Sequence, residues 1–175
     1  GGGSSDAAST LLGLRKFWNL DISDKNLTEI ALKLGSDVPF FIYGKTAWAE
    51  GRGEILAEYP YKKKYYLLFF PSLDISTKNA FEQADFVSRP KISKKHFTPD
   101  QSFNSFEVWV RRTYSEMDEA FNQLRLIGEP KLSGTGSTIF LEFDTKSAAK
   151  SAQKHFPQLV LTKSLERSPL MQIIE

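Results

Sequence analysis

The chain opens with GGGSSDAASTLLGLRKFW, residues 1–18, in which three glycines run directly into a stretch with helical periodicity. The apolar residues at helical spacing are Ala7, Ala8, Leu11, Leu12, Leu14 and Trp18. Side chains with this spacing fall on one face of a helix. Asp6 adds a negative charge to the first turn, where the helix dipole favours it. The pattern predicts a helix over residues 5–18 that follows a glycine-rich loop.

This glycine-rich start has the composition of a phosphate-binding loop. Glycines let backbone N–H groups approach a phosphate closely, and the first turn of a helix adds unpaired donors at its positive end. The hydroxyls of Ser4 and Ser5 can add hydrogen bonds to a phosphate or bind Mg²⁺. The Gly-Lys-Ser/Thr of a Walker A loop does not follow. Taken alone, the feature fits equally well a flexible N-terminal arm that ends in a serine helix cap.

A second motif, LGSDVPFF, occupies residues 34–41. It follows a predicted helix over residues 24–34, and Pro39 disfavours helical backbone at the residue before it, so a new element starts there. Asp37 therefore lies just past a helix end, where a carboxylate can take a proton from a substrate hydroxyl. The alternative is an aspartate that caps the next element. Beyond this motif, three glycines at positions 44, 51 and 53 predict a short hairpin.

A third motif, LSGTGST, occupies residues 132–138 and precedes a predicted strand at 139–143. A loop with two glycines and four hydroxyl side chains can bind a polyanion through backbone N–H groups. An ordinary glycine-containing hairpin is the alternative interpretation.

The remaining pattern predicts an α+β fold in two domains. Tyr65 to Phe70 is an apolar run that predicts a buried strand. Further predicted elements are helices at 76–86, 103–127 and 145–156, a surface loop at 88–100 and a strand at 159–161. The second half thus predicts a helix-and-sheet sandwich with a mixed sheet. A polar segment containing Pro60 sets the predicted boundary, giving domains 1–60 and 61–175.

Composition narrows the classes of protein that fit. The 175 residues carry a formal net charge of +2, which gives no indication of nucleic-acid binding. There is no cysteine, which excludes disulfides and thiolate metal sites. No apolar run approaches the roughly 20 residues that span a bilayer. We expect a cytoplasmic protein without nucleic-acid or membrane partners. The composition leaves the oligomeric state open.

Several motifs in this order resemble the GHMP small-molecule kinases, and among them the kinases that act on a diphosphocytidyl alcohol. The matching segments are GGGSSDAA (1–8), LGSDVPFF (34–41), GKTAWAEGRGEIL (44–56), FFPSLDISTKNAF (69–81), LSGTGSTIFLEFD (132–144) and SPL (168–170). The resemblance covers nearly the whole chain. It implies a GHMP kinase fold, with the remainder of the ATP-binding domain in residues 1–60 and a C-terminal α/β sandwich in 61–175.

The resemblance also implies roles for particular residues. The ATP phosphate loop corresponds to Gly1, Gly2, Gly3, Ser4 and Ser5, and the third glycine motif to Gly134, Thr135 and Gly136. Asp37 corresponds to the catalytic aspartate that contacts the substrate hydroxyl. Thr77 and Phe81 correspond to the substrate side, with Phe81 stacking on the cytosine ring. Without the resemblance, the local sequence favours Phe81 as a core residue of the helix at 76–86.

The implied reaction transfers the γ-phosphoryl group of ATP, with Mg²⁺ bound through the phosphates, to the C2 hydroxyl of 4-diphosphocytidyl-2-C-methyl-D-erythritol. This step belongs to non-mevalonate isoprenoid precursor synthesis. Nothing before Gly1 matches the family's N-terminal lysine or its cytidine-clamping residues. We therefore expect the chain to be an incomplete C-terminal piece that is inactive by itself. The alternatives are a non-catalytic module used in binding or assembly and a GHMP kinase for another small alcohol.

Overall fold

The computed structural model describes residues 1–85, 94, 97 and 102–174, except for the side chains of 172–174. Its elements in chain order are α1 (Gly2–Phe17), α2 (Asp24–Leu34), α3 (Val38–Tyr43), β1 (Ala47–Glu50), β2 (Ile55–Glu58), β3 (Tyr65–Phe69), α4 (Thr77–Gln83), α5 (Glu107–Thr113), α6 (Ser115–Leu124), β4 (Pro130–Leu132), β5 (Ile139–Phe143), α7 (Lys146–Gln153), β6 (Val160–Lys163) and α8 (Pro169–Ile174). The predicted surface loop at 88–100 lies almost entirely outside the described residues.

The chain forms two compact units. One comprises residues 1–62 together with those from Leu165 onward, and the other comprises residues 63–164. The predicted domain of residues 61–175 differs from the second unit at its end, because the segment that carries α8 groups with the first unit.

The first unit is built on α1, α2 and α3, whose buried residues form one apolar core. That core consists of Ala8, Leu12, Leu27, Ala31, Val38 and Ile42. α2 confirms the predicted helix at 24–34, and the hydroxyl of Ser23 caps it by accepting a hydrogen bond from Asn26 N at 3.2 Å. Trp18, which shares the predicted helical spacing of the apolar face, lies just past the end of α1 and is 59% exposed, so it does not join the buried face.

A short helix and a hairpin follow Gly35. Pro39 lies in the first turn of α3, where a missing N–H costs no hydrogen bond. Gly44 ends that helix in the left-handed conformation, with φ +67°. β1 and β2 then pair antiparallel, with Trp48 opposite Ala57, which confirms the predicted hairpin. The sequence analysis did not predict α8, which adds two partly buried residues, Leu170 and Met171, to the first core.

The second unit contains an antiparallel sheet in the order β4-β5-β3-β6. Leu67 on β3 lies opposite Leu141 on one neighbour and Leu161 on the other. The predicted mixed sheet is wrong, although the α+β class is confirmed. α7 connects β5 to β6, which run in the same direction, but β3 lies between them and pairs antiparallel with both.

The sheet and four helices of this unit enclose the larger core. Phe121 on α6 is fully buried there, together with Leu67, Ile139 and Leu141 from the sheet. Truncating a fully buried phenylalanine to alanine costs about 4 kcal/mol. Leu132 and Ile139, on the two strands that flank the 132–138 motif, belong to the same core, so its packing energy also fixes these strands.

The long helix predicted over 103–127 is two helices in the structure. Its break falls at Tyr114, whose backbone is extended with φ −121° and ψ 103°. Arg111 on α5 bridges the break by donating a hydrogen bond from Nε to Asp118 Oδ1 at 2.8 Å. That guanidinium lowers the pKa of Asp118. The break went unseen because Val110 and Met117 both face the core, so the apolar period continues across it.

Candidate active site

The predicted phosphate loop forms the first turn of α1 in the structure. The helix begins at Gly2, three residues earlier than predicted, with Gly1 as its N-cap. Its first hydrogen bond runs from Ser5 N to Gly1 O at 3.0 Å, so the N–H groups of Gly2, Gly3 and Ser4 have no partner within the helix. A Cβ on Gly2 or Gly3 would meet no atom outside the adjoining helix backbone within 4 Å. These three N–H groups are therefore candidate donors to an anion.

The connection between α2 and α3 lies against this helix end. Ser4 Oγ is 4.0 Å from the position that a Cβ on Gly35 would take, and Phe41 Cζ is 3.3 Å from the corresponding position on Gly1. The residues on both sides of Asp37 therefore approach the start of α1. The structure brings the first and second predicted motifs together in this way.

The hairpin tip supports the same connection. Gly53 has φ +111°, and a Cβ there would lie 2.6 Å from the carbonyl oxygen of Ser36. Only a glycine allows the two backbones to approach so closely. The turn between β1 and β2 thus fixes the backbone immediately before Asp37.

Asp37 has an exposed and unpartnered carboxylate. It occupies the N-cap position of α3, yet its side chain makes no capping hydrogen bond. The carboxylate also makes no hydrogen bond or ion pair with any other residue that the structure describes. The capping alternative is therefore not realised, and the carboxylate is available to a ligand.

The 132–138 motif forms a tight loop between β4 and β5. Ser133 N donates to Thr138 O at 2.9 Å, and Gly136 N donates to Ser133 O at 2.9 Å. Gly134 and Gly136 both have positive φ, +57° and +94°. A Cβ on Gly134 would meet no atom within 4 Å, so the backbone is accessible at that point of the described structure.

The two predicted substrate residues lie on α4. Thr77 Oγ1 is 3.2 Å from Thr135 Oγ1, within hydrogen-bond distance, so this helix start contacts the glycine loop. Phe81, one turn further on, packs edge-to-face on Phe106 with 4.9 Å between ring centroids. It is 62% exposed, which rules out the core alternative for this residue.

The sequence analysis missed Asn104, which holds the glycine loop. Its amide Nδ2 donates to Leu132 O at 2.9 Å and to Gly134 O at 2.7 Å. Glu107, three residues on, accepts a hydrogen bond from the backbone of Leu132, and its partial burial raises its pKa. The Asn-x-x-Glu spacing is a capping-box signature of a helix start. It was the local sequence signal that could have drawn attention to Asn104.

Other charged groups of the second unit have structural partners. Lys64 Nζ is 2.6 Å from Asp144 Oδ1 and 2.8 Å from Glu142 Oε1. These two carboxylates raise the pKa of Lys64. Lys64 therefore links the start of β3 to the end of β5 rather than serving as a free cation.

The described residues contain no cluster of three or more His, Asp or Glu side chains that could hold a metal ion. None of the helices in this part of the chain is long and apolar enough to cross a membrane.

Two family models match this chain. The family model described as "GHMP kinases N terminal domain" matches residues 1–45, and "GHMP kinases C terminal" matches residues 100–160. The first match contains the start of α1 and Asp37, and the second contains the glycine loop. The chain belongs to the GHMP kinase family.

Within that family, the chain is similar to proteins named 4-diphosphocytidyl-2-C-methyl-D-erythritol kinase. The one from Acinetobacter baylyi is 38% identical, with 97% of this chain and 62% of the relative covered. That from Buchnera aphidicola is 37% identical over 97% of this chain and 60% of its own. That from Hahella chejuensis is 39% identical over 98% and 60%. The chain thus spans about three fifths of the length of these relatives.

A solved structure agrees with the sequence matches. It is titled "Crystal structure of 4-(cytidine 5'-diphospho)-2C-methyl-D-erythritol kinase", and it matches 93% of this chain and 65% of its own with a TM-score of 0.72 and 27% identity. The GHMP kinase fold predicted from the motifs is confirmed by these comparisons.

Proposed function

We propose that this protein is an ATP-dependent kinase that phosphorylates the C2 hydroxyl of 4-diphosphocytidyl-2-C-methyl-D-erythritol in isoprenoid precursor synthesis. The observation that carries the proposal is the unpartnered carboxylate of Asp37, whose neighbours Gly35 and Phe41 approach the first turn of α1. A general base and an anion-binding helix end are two groups that can promote phosphoryl transfer to an alcohol. The names of the relatives support the choice of alcohol.

ATP would be bound mainly through its phosphates. The free N–H groups of Gly2, Gly3 and Ser4 and the serine hydroxyls fit phosphate oxygens. Within the second unit, Gly134, Thr135 and Gly136 offer backbone donors of the same kind. Mg²⁺ would be bound through the phosphates, because it keeps several waters and seldom occupies an all-protein cage. The ion would neutralise the charge that develops on the phosphates during transfer.

In the proposed step, the alcohol oxygen attacks the γ-phosphorus in line with the departing oxygen of ADP. A bond forms between that oxygen and phosphorus, and the bond from phosphorus to the β–γ bridging oxygen breaks. The carboxylate of Asp37 takes the hydroxyl proton. Orientation and charge stabilisation supply most of the rate, because phosphoryl transfer leaves the protein little covalent chemistry.

The nucleoside end of the alcohol substrate would lie on α4. The exposed ring of Phe81 offers an aromatic face on which a cytosine can stack. Its edge-to-face contact with Phe106 favours this placement of the ring. Thr77 would donate or accept a hydrogen bond on the same side, where it already contacts Thr135.

The test compares Asp37→Asn with Asp21→Asn in protein expressed from its natural gene. Both changes remove one exposed carboxylate from the first unit, and Asp21 lies outside the proposed machinery. ADP release is measured with and without the diphosphocytidyl alcohol, and ³¹P NMR locates the new phosphate. We expect Asp37→Asn to lower kcat by about 10²–10⁴-fold with little change in KM for ATP, and Asp21→Asn to leave both unchanged.

Two results would reject the proposal. One is the absence of alcohol-dependent ADP release from the unsubstituted protein, which would favour a non-catalytic module. The other is a faster reaction with a different acceptor such as mevalonate, which would place the protein with kinases of another alcohol.

A further inference from the structure

One amide side chain joins the start of α5 to the glycine loop. Asn104 donates from Nδ2 to the carbonyl oxygens of Leu132 and Gly134 and accepts at Oδ1 from Phe106 N at 2.8 Å. Three of its hydrogen-bonding positions are thereby used. A carboxylate of the same shape could accept from Phe106 but could not donate to either carbonyl.

The bond to Gly134 has a consequence for the next peptide group. The C=O of Gly134 and the N–H of Thr135 belong to one planar unit and point in opposite directions when it is trans. Fixing the carbonyl on Asn104 therefore turns the N–H of Thr135 away from α5. That N–H makes no hydrogen bond with the described residues, so it is a donor held ready for an acceptor from outside the loop.

The segment that carries Asn104 is attached to strand β4 by two hydrogen bonds. β4 lies at the edge of the sheet, where outward backbone groups need partners. Glu107 accepts from the backbone of Leu132, and Asn104 donates to the carbonyl of the same residue. The start of α5 is thus fastened to the sheet, and the second Nδ2 hydrogen bond extends this support to the loop.

We propose that Asn104 is a positioning residue that sets the conformation of the loop at 133–138 for phosphate binding. Asn104 acts through Gly134 and the peptide that follows it, and it does not touch the substrate. This inference rests on the proposed function, in which that loop binds phosphate oxygens.

The test uses Asn104→Asp, with Asn26→Asp as the matched control, in protein expressed from its natural gene. Both changes convert an amide to a carboxylate, and Asn26 is exposed in the first turn of α2, where a negative charge is tolerated. Asn104→Ala removes the same two donated bonds without adding charge and serves if the aspartate variant does not fold. The measurements are hydrogen–deuterium exchange of the peptide covering 133–138, the melting temperature, and kcat and KM for ATP.

We expect exchange at the amides of Ser133 and Gly136 to accelerate by about tenfold or more in Asn104→Asp, because two hydrogen bonds of about 1 kcal/mol each are lost. The value of kcat/KM for ATP should fall by about 100-fold, with a higher KM, since small displacements of positioning groups cost rates of that size. The control should match the unsubstituted protein in both measurements.

Unchanged exchange in the loop would overturn the inference whether or not the protein is a kinase. Faster exchange with unchanged kcat and KM would also overturn it, because the loop would then be held for stability alone. A purely structural role predicts faster exchange throughout residues 63–164 and less active protein with the same KM. If the unsubstituted protein transfers no phosphate, the proposed function fails first, and the link between Asn104 and the reaction fails with it.

Discussion

Replacing Gly53 by alanine tests whether the hairpin tip fixes the segment that carries Asp37. Gly53 has φ +111°, and its added Cβ would lie 2.6 Å from Ser36 O, whereas real Cβ contacts essentially never fall below 3.0 Å. The carbonyl or the turn must therefore move by at least 0.4 Å, the difference between those two distances. Backbone strain at such a φ adds about 1–3 kcal/mol, so we expect a total loss of about 3 kcal/mol in unfolding free energy.

Gly51→Ala is the matched control in the same turn. Gly51 also has positive φ, +70°, but the atom nearest to its added Cβ is Glu54 Oε1, the end of a side chain whose other oxygen accepts from Arg52 N at 2.7 Å. The expected cost is about 1–2 kcal/mol of left-handed strain, plus up to about 1 kcal/mol if that hydrogen bond is lost, and no movement of the backbone next to Asp37 is needed. Urea unfolding of both variants measures the difference, and kcat well below the melting temperature measures the effect on Asp37.

We expect Gly53→Ala to lower kcat several-fold more than Gly51→Ala does, because only the first change displaces the backbone next to Asp37. Equal losses of stability and of kcat in the two variants would refute the packing argument. So would a Gly53 variant as stable as the unsubstituted protein.

Three further predictions concern the helices. Gly13→Ala, an exposed position in α1 where a Cβ meets no atom within 4 Å, should raise the urea-unfolding free energy by about 1 kcal/mol through helix propensity; a loss of stability would contradict this. Glu107→Gln should raise the melting temperature at pH 7 by an amount worth less than about 1 kcal/mol, because it removes a partly buried charge but keeps an acceptor for Leu132 N. Since burial raises the pKa of Glu107, the folded state holds its proton more tightly, and the advantage of glutamine should shrink as the pH falls through the raised folded-state pKa and be lost below the ordinary value of 4.5. Phe81→Leu should raise KM for the diphosphocytidyl alcohol by about tenfold, equivalent to the loss of one stacking contact, while KM for ATP stays constant; equal changes in both constants would argue against stacking.

Local patterns in the sequence located much of the fold. The 3.6-residue period of α2 and the apolar run of β3 depend on neighbours along the chain, so their positions could be predicted closely. The glycine and hydroxyl composition of the first and third motifs likewise indicated phosphate chemistry, because the requirement for unobstructed N–H groups is local. The available local signals did not reveal α8.

Other features depend on partners that are distant in sequence. The break at Tyr114 escaped detection because the residues on both sides of it face the same core. The prediction of a mixed sheet is wrong because β3 lies between β5 and β6. Hydrophobic periodicity predicts where strands occur, but it does not predict which strands pair.

By itself, the sequence determined which residue types are available for chemistry: a glycine-rich helix start, one aspartate after a helix and a hydroxyl-rich loop. The tertiary structure alone decided that Asp37 is left without a capping bond, that Gly53 packs on Ser36, and that Asn104 holds Gly134. Composition and periodicity report what a segment prefers over a few residues. A contact between residues 30 positions apart, such as that of Asn104 with Gly134, exists only after the core has brought the segments together.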